Sequence, residues 1–233
     1  MSLDTVPLPP KEYIDLVCGP FRPQQFDWAG KLVVQMLDGA GMLGAEKDLL
    51  DVGCGCGRVA RYLLDRPLRS YMGFDRHPGM VKWAVDEITR RDSRFAFRHV
   101  DVRSAYVSWD GQGGSIAADA LRFPFPDAAF DSALLASVFT HMPLREARHY
   151  LGELRRVLRP GGKILLSVFF AERRPWLYFF SRVAPYVLVE ANFFYTPRAF
   201  ARCLARSGLA FQALGPQGSG YYQNWYVLTK RGP

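Results

Sequence analysis

The stretch LLDVGCGCGRVARYL, residues 49–63, places three glycines and two cysteines in five consecutive positions, between an apolar run and a segment of helical periodicity. Two chemistries compete for it. Cys54 and Cys56 offer two soft ligands, but no nearby His/Cys cluster completes the tetrahedral set that zinc requires, and a redox pair is more usually spaced CxxC. Gly53, Gly55 and Gly57 stand where a strand turns into a helix, which permits close backbone approach by a ligand and leaves amides free at the helix start. The loop then binds a nucleotide-type cofactor, and the cysteines fill gaps in the turn. Its spacing is GxGxG, with Arg58 where the third glycine of a dinucleotide fingerprint would fall, which argues against a nicotinamide enzyme.

Working outward, the strand-turn-helix unit recurs. An amphipathic helix over 24–38, with Phe26, Gly30, Val33 and Leu37 on one face, precedes the strand at 48–52. GRVARYLLDR at 57–66 reads as a helix, SYMGFD at 70–75 as a second strand, and PGMVKWAVDEITRR at 78–91 as a helix opened by proline. FAFRHVDV at 95–102 and FDSALLASVF at 130–139 are strands three and four. LREARHYLGELRRVL at 144–158 is a helix stopped at RPGG, followed by a fifth strand, KILLSVFF at 163–170. Strands that are apolar almost throughout and alternate with helices indicate a parallel sheet covered on both faces. After 170 the rhythm breaks into an aromatic segment, 171–197, then a helix at 197–209 and two final strands read as an antiparallel hairpin. The expected fold is therefore α/β, a doubly wound Rossmann-like sheet of seven strands, mostly parallel, in one domain spanning 1–233 with a helical N-terminal segment, 1–44. Ligands of such sheets bind beyond the carboxyl ends of the strands: here Gly53 to Gly57, Asp75, Asp101, and Ser137 to His141.

Composition narrows the context. With 233 residues, 49% of them hydrophobic, the chain can bury one substantial core. No run approaches the ~20 apolar residues of a membrane span, and the N-terminus has neither a basic region nor an apolar signal core, so a cytoplasmic location is expected. Four cysteines, unevenly spaced, are too few for a disulfide framework. The formal net charge of +8 would help binding to an anionic partner, but no block of five or six like charges appears, and solvated helix faces account for RRD at 90–92 and LRRVLR at 154–159. A nucleic-acid partner is not expected.

In its motifs and their order the chain resembles the class I S-adenosylmethionine-dependent methyltransferases. DVGCGCG at 51–57, GFDRHPGMVKWA at 73–84, FPFPDAAFD at 123–131 and LGELRRVLRPGGKILLS at 151–167 carry the likeness over about residues 45–170. The resemblance implies that Gly53, Cys54, Gly55 and Gly57 pass under S-adenosylmethionine, with Asp51 supporting the loop and the zwitterionic end of the ligand. It implies that Asp75 accepts both ribose hydroxyls, a bidentate contact suited to a cis-diol. Arg76, His77 and Met80 would flank the adenine, and Val102 and Ser137 would add contacts after strands three and four. The carboxylate for the adenine amine is divided between Asp101, which ends strand three, and Asp119, which has the spacing to Asp127; the strand-end position favours Asp101.

Methyl transfer from a sulfonium is an in-line displacement, so the protein chiefly aligns the reactants. A hydroxyl acceptor gains from a base, and His141 in ASVFTHMP, just beyond strand four, is the candidate. The NPPY-like tetrapeptide of nucleic-acid amino methyltransferases and the paired-glutamate loop of arginine methyltransferases are both absent. Two insertions, 102–118 with Tyr106 and Trp109 and 171–197 with Trp176 and Tyr195, offer aromatic walls for a small-molecule acceptor. The expected activity is O-methylation of a small hydroxylated molecule, a saccharide in the first instance. The rivals are a lipid or lipid-linked acceptor reached by peripheral membrane contact, motivated by RRPWLYFF at 173–180, and a non-catalytic cofactor-binding subunit. No carboxylate cluster compels a metal.

Overall fold

The computed structural model describes residues 6–18, 25–103, 114–173, 186–189, 192–217 and 223–232. The chain divides into two compact units, Met1–Asp101 and Val102–Pro233.

The first unit contains helices α1 (Lys11–Cys18) and α2 (Gln25–Gly39), strand β1 (Gly44–Val52), strand β2 (Leu68–Asp75), helix α3 (Pro78–Ala84) and strand β3 (Phe95–His99). β2 pairs in parallel with both β1 and β3, aligning Val52 with Phe74 and Asp75 with His99. Leu49, Leu50, Tyr71, Phe74 and Phe95 are buried, as expected of strands covered on both faces. α2 buries Phe26, Gly30, Val33, Val34 and Leu37, a stripe of helical period. α3 is capped by His77, whose Nδ1 accepts from the Met80 amide at 3.2 Å, and begins with Pro78. It continues through a wider π turn, Val85–Thr89.

The helix expected at 57–66 is a correction. That stretch is a series of turns around a short 3-10 helix, Ala60–Tyr62, in which Tyr62 donates to the Val59 carbonyl and Leu63 to that of Ala60. The tighter winding goes with close packing against α2: a Cβ on Gly30 would lie 2.8 Å from the Tyr62 ring and 2.9 Å from the Arg58 carbonyl oxygen. Arg61 is buried and donates from Nη2 to the Val6 carbonyl at 2.9 Å, fixing the turn from its other side.

The second unit contains β4 (Phe130–Leu135), α4 (Leu144–Val157), β5 (Leu158–Phe170), β6 (Tyr186–Val189), β7 (Asn192–Tyr195), α5 (Pro197–Ala205), β8 (Leu209–Gln217) and β9 (Gln223–Lys230). β4 and β5 are parallel, while β9 runs antiparallel to both β5 and β8, so the C-terminal hairpin expected from the sequence is present. β6 and β7 were not expected: they form an antiparallel pair, and β7 aligns in parallel with the end of β5 through Phe169 with Phe194 and Phe170 with Tyr195. β4 ends at Leu135 rather than 139 because Ser137 adopts φ 63°, incompatible with a continuing strand. A 3-10 turn, Phe139–His141, follows. Among the described residues no helix is long and apolar enough to cross a membrane.

Candidate functional site

In the first unit the carboxyl ends of β1 and β2 bring the glycine loop beside Asp75. Gly53, Gly55 and Gly57 all take positive φ (73°, 53° and 74°), a backbone that side chains rarely tolerate. The sequence led us to expect free loop amides, but four of the five are engaged. Gly53 and Cys54 donate to the Phe74 carbonyl at 2.8 and 3.1 Å, Gly57 to that of Cys54, and Gly55 to Asp75 Oδ2 at 2.8 Å. A pyrophosphate calls for unspent amides at such a turn. With four of its five amides engaged, this loop instead offers close approach with few donors, which suits a ligand with no phosphate.

Asp75 is held at both oxygens, Oδ2 by the Gly55 amide and Oδ1 by the His77 amide at 2.8 Å. Packing around it pushes its carboxyl above the ordinary value, and the two backbone donors counter that shift. Each oxygen keeps a lone pair, so a rigid carboxylate remains able to accept two adjacent hydroxyls. Asp51, at the end of β1, is buried and receives the Tyr71 hydroxyl at 2.5 Å; burial pushes its carboxyl up to about 7. Tyr71 went unnoticed in the sequence because a tyrosine in a strand reads as ordinary β propensity.

Helix α1 covers this region. Val17 Cγ2 and Met80 Sδ lie 3.6 and 3.7 Å from the place a Cβ on Gly55 would take, and the Tyr13 and His77 rings meet edge to face at 5.4 Å. Met80 is buried with Ile14, Phe26 and Cys56, so its thioether is part of the core as well as a neighbour of the loop. Cys56 belongs to that cluster, and Cys54 packs its sulfur against Gly73 of β2. Burial pushes the Cys54 thiol well up and the Cys56 thiol up to about 12, which keeps both protonated and poor as ligands or nucleophiles. The Arg76 carbonyl accepts from His99 Nε2 at 3.0 Å. Asp101 is exposed, two residues past the end of β3.

In the second unit Val102 is buried and bridges to Ile116, and Asp119 forms an ion pair with Arg145 at 2.9 Å. Ser137 is held in its left-handed backbone by three side chains: its amide donates to Ser167 Oγ at 2.8 Å, its carbonyl accepts from Thr140 Oγ1 at 2.7 Å, and its hydroxyl accepts from Gln223 Nε2 at 2.7 Å. Ser167 and Gln223 were not picked out in the sequence, although Ser167 interrupts the apolar run of KILLSVFF. His141 ends the 3-10 turn that follows, half-buried. Tyr195 is a correction. It is fully buried, stacked on Phe200, with its hydroxyl 2.8 and 2.6 Å from the Phe139 and Met142 carbonyl oxygens, so it braces the His141 turn and cannot be an acceptor wall. Tyr106, Trp109 and Trp176 lie outside the described residues.

Comparison with known proteins places this arrangement. The methyltransferase-domain family model matches residues 50–166, which is half of the chain and includes the glycine loop, Asp75, Ser137 and His141. The chain belongs to that family, the class I S-adenosylmethionine-dependent methyltransferases, and its fold is their Rossmann-like α/β sheet. It is similar to the demethylmenaquinone methyltransferase of Thermus thermophilus, 32% identical over 64% of this chain and 62% of that protein. It is also similar to the 27-O-demethylrifamycin SV methyltransferase of Amycolatopsis mediterranei, 32% identical over 58% of this chain and 44% of that one. The chain thus spans less than two thirds of the length of either relative. Among solved structures, magnesium protoporphyrin IX methyltransferase of Synechocystis with bound S-adenosylhomocysteine shares the fold, with a TM-score of 0.60 at 16% identity, covering 89% of this chain and 84% of that one.

The family's cofactor, S-adenosylmethionine, fits the residues present. It carries a cis-diol for the fixed Asp75 carboxylate, no phosphate to require the spent loop amides, and a zwitterionic end whose ammonium suits Asp51, a buried acidic neighbour of Asp75.

Proposed function

We propose that this chain transfers the methyl group of S-adenosylmethionine to a hydroxyl of a small molecule. The observation that carries the reading is the Asp75 carboxylate, fixed by the Gly55 and His77 amides beside a glycine loop of positive φ. Bound S-adenosylmethionine supplies a methyl on a positively charged sulfur, which needs alignment more than activation. Asp75 holds the diol, the positive-φ glycines admit the ligand to the backbone, and Asp51 keeps an acidic group under it. Asp101, past β3, offers a carboxylate to the adenine amine. On the acceptor side, a ring nitrogen of His141 takes the hydroxyl proton as the new bond forms, and Tyr195 and the Ser137 bracket keep the turn in place.

The sequence pointed first to a saccharide. The relatives' names favour ring-bearing, largely apolar acceptors, a quinone and a rifamycin, and we place those ahead of saccharides. The test is isothermal titration with S-adenosylhomocysteine, followed by transfer of labelled methyl to a panel of reduced quinones, phenols and saccharides. Absence of S-adenosylhomocysteine binding overturns the cofactor assignment; binding with no transfer to any hydroxylated acceptor overturns the enzymatic one.

A further inference from the structure

The exposed faces of α4 and α5 form one arginine-rich surface. On α4, Arg145, Arg148 and Arg155 are exposed with Gly152 between them, at helical spacings that place all four on one stripe. On α5, Arg198 and Arg202 are exposed with Ala201 and Ala205, Arg206 continues the face, and the helix PRAFARCLA contains no acid. The two stripes adjoin. Arg148 hydrogen-bonds to Cys203 of α5, and the Arg155 guanidinium carbon lies 3.3 Å from the place a Cβ on Gly208 would take, just past α5.

Elsewhere the arginines are mostly neutralised: Arg66 by Asp38, Arg69 by Asp48, Arg90 by Asp86, Arg94 by Asp92, Arg156 by Glu153 and Arg159 by Asp131. On this face, among the described residues, only Arg145 has a carboxylate partner, Asp119. Five uncompensated guanidinium groups therefore gather on two helices of a chain whose formal net charge is +8. Such a concentration costs self-repulsion unless an anionic surface meets it.

The shape of the face selects among anionic partners. Between the arginines stand only glycine and alanine, and a Cβ on Gly152 would meet nothing within 4 Å, so the surface is level and open. Single-stranded nucleic acid is held by aromatic platforms in a groove. Among the described residues the exposed large apolar side chains, Leu8, Trp28, Ile116 and Phe211, all lie off α4 and α5. A level array of phosphates read by guanidinium forks matches better, and an anionic lipid leaflet presents one.

We propose that the α4–α5 arginine face docks the protein on an anionic phospholipid surface, its guanidinium groups pairing with headgroup phosphates while the helices stay outside the hydrocarbon. This goes beyond the methyl-transfer reading and does not depend on it, although a surface-bound enzyme is well placed to meet an apolar acceptor. The test is co-sedimentation with vesicles of equal parts phosphatidylglycerol and phosphatidylcholine, against vesicles of phosphatidylcholine alone. The full chain should bind the first and not the second, and should leave as salt rises from about 0.1 M to about 0.5 M, where charge interactions are screened within a few ångströms. Arg198→Gln, Arg202→Gln and Arg206→Gln together should lower the partition coefficient roughly 100-fold, about fivefold per charge. A control with the same change in net charge, Arg66→Gln, Lys82→Gln and Arg90→Gln, should bind vesicles as the unaltered protein does. S-adenosylhomocysteine titration of every variant reports folding and separates this question from that of the cofactor. Equal binding to neutral vesicles, or equal loss in both triple variants, overturns the proposal. So does displacement from the vesicles by equimolar duplex RNA, which would make the face one for nucleic acid.

Discussion

The Tyr71 hydroxyl donates to the buried Asp51 carboxylate at 2.5 Å, joining β2 to β1 beneath the glycine loop. Burial still pushes Asp51 from the usual 3.8 up to about 7, so the bond offsets only part of the cost of a charge in that position. At low pH the carboxyl is protonated in both the folded and unfolded chains. As pH rises from 3.8 towards 7 the unfolded chain releases its proton while the folded one keeps it, so stability falls across that window and is level above it. The fall is on the order of a few kcal/mol. Urea unfolding should show a lower midpoint at pH 8 than at pH 5, and Asp51→Asn should flatten that dependence. Tyr71→Phe removes a bond worth about 1.5–3 kcal/mol to a charged acceptor, and should therefore cost more at pH 8 than at pH 5. Equal midpoints at both pH values in the unaltered protein would show that Asp51 titrates normally.

Asp75 is the residue on which cofactor affinity should depend most. Asp75→Asn keeps the shape and one acceptor but loses the charge-assisted contact to two hydroxyls, each worth about 1.5–3 kcal/mol. S-adenosylhomocysteine should bind roughly 100-fold more weakly or worse by titration calorimetry. Circular dichroism is the needed companion, because Asp75 also anchors the Gly55 and His77 amides. An affinity within a few-fold of the unaltered protein would remove the diol from Asp75.

These two residues also show what was legible in the sequence. Asp75 could be read because its signals are local: an apolar strand before it, His77 and Pro78 after it, and a glycine loop one strand earlier in the chain. The turns at 57–66 could not, since what tightens them is the fit of Gly30 in α2 against Tyr62 and the Arg58 carbonyl. Strands β6 and β7 were missed because β7 finds its partner at the end of β5, a pairing no periodicity within 171–197 announces. Gln223 likewise meets Ser137 across 86 residues. Tyr195 was misread because an aromatic outside the strand-helix rhythm looks the same in sequence whether it lines a pocket or braces a turn.

The turn that Tyr195 braces yields a further prediction. His141→Ala should leave S-adenosylhomocysteine binding unchanged and lower kcat by about 10²–10⁴, the range of a positioned base. Tyr195→Phe removes the donor to the Phe139 and Met142 carbonyls and should lower both the thermal midpoint and kcat, with no change in cofactor affinity. Full turnover in His141→Ala would transfer the proton to another group or to solvent.

The cysteines of the glycine loop are open to a test that separates packing from chemistry. A Cβ on Gly73 would lie 2.8 Å from Cys54 Sγ and 2.9 Å from both Cys54 Cβ and Phe97 Cδ1, closer than real contacts allow. Gly73→Ala should therefore destabilise by about 1–3 kcal/mol through overpacking. Cys54→Ala removes the sulfur but leaves the Cys54 Cβ and the Phe97 ring, so the double variant should recover part of that loss and not all of it. The recovery is a coupling energy between two residues in contact, read from the four unfolding curves of the cycle. If Cys54 only fills the space over Gly73, Cys54→Ala alone keeps S-adenosylhomocysteine affinity and turnover. Loss of turnover in that single variant, with affinity and midpoint unchanged, would give the thiol a chemical role that its protonated, buried state argues against.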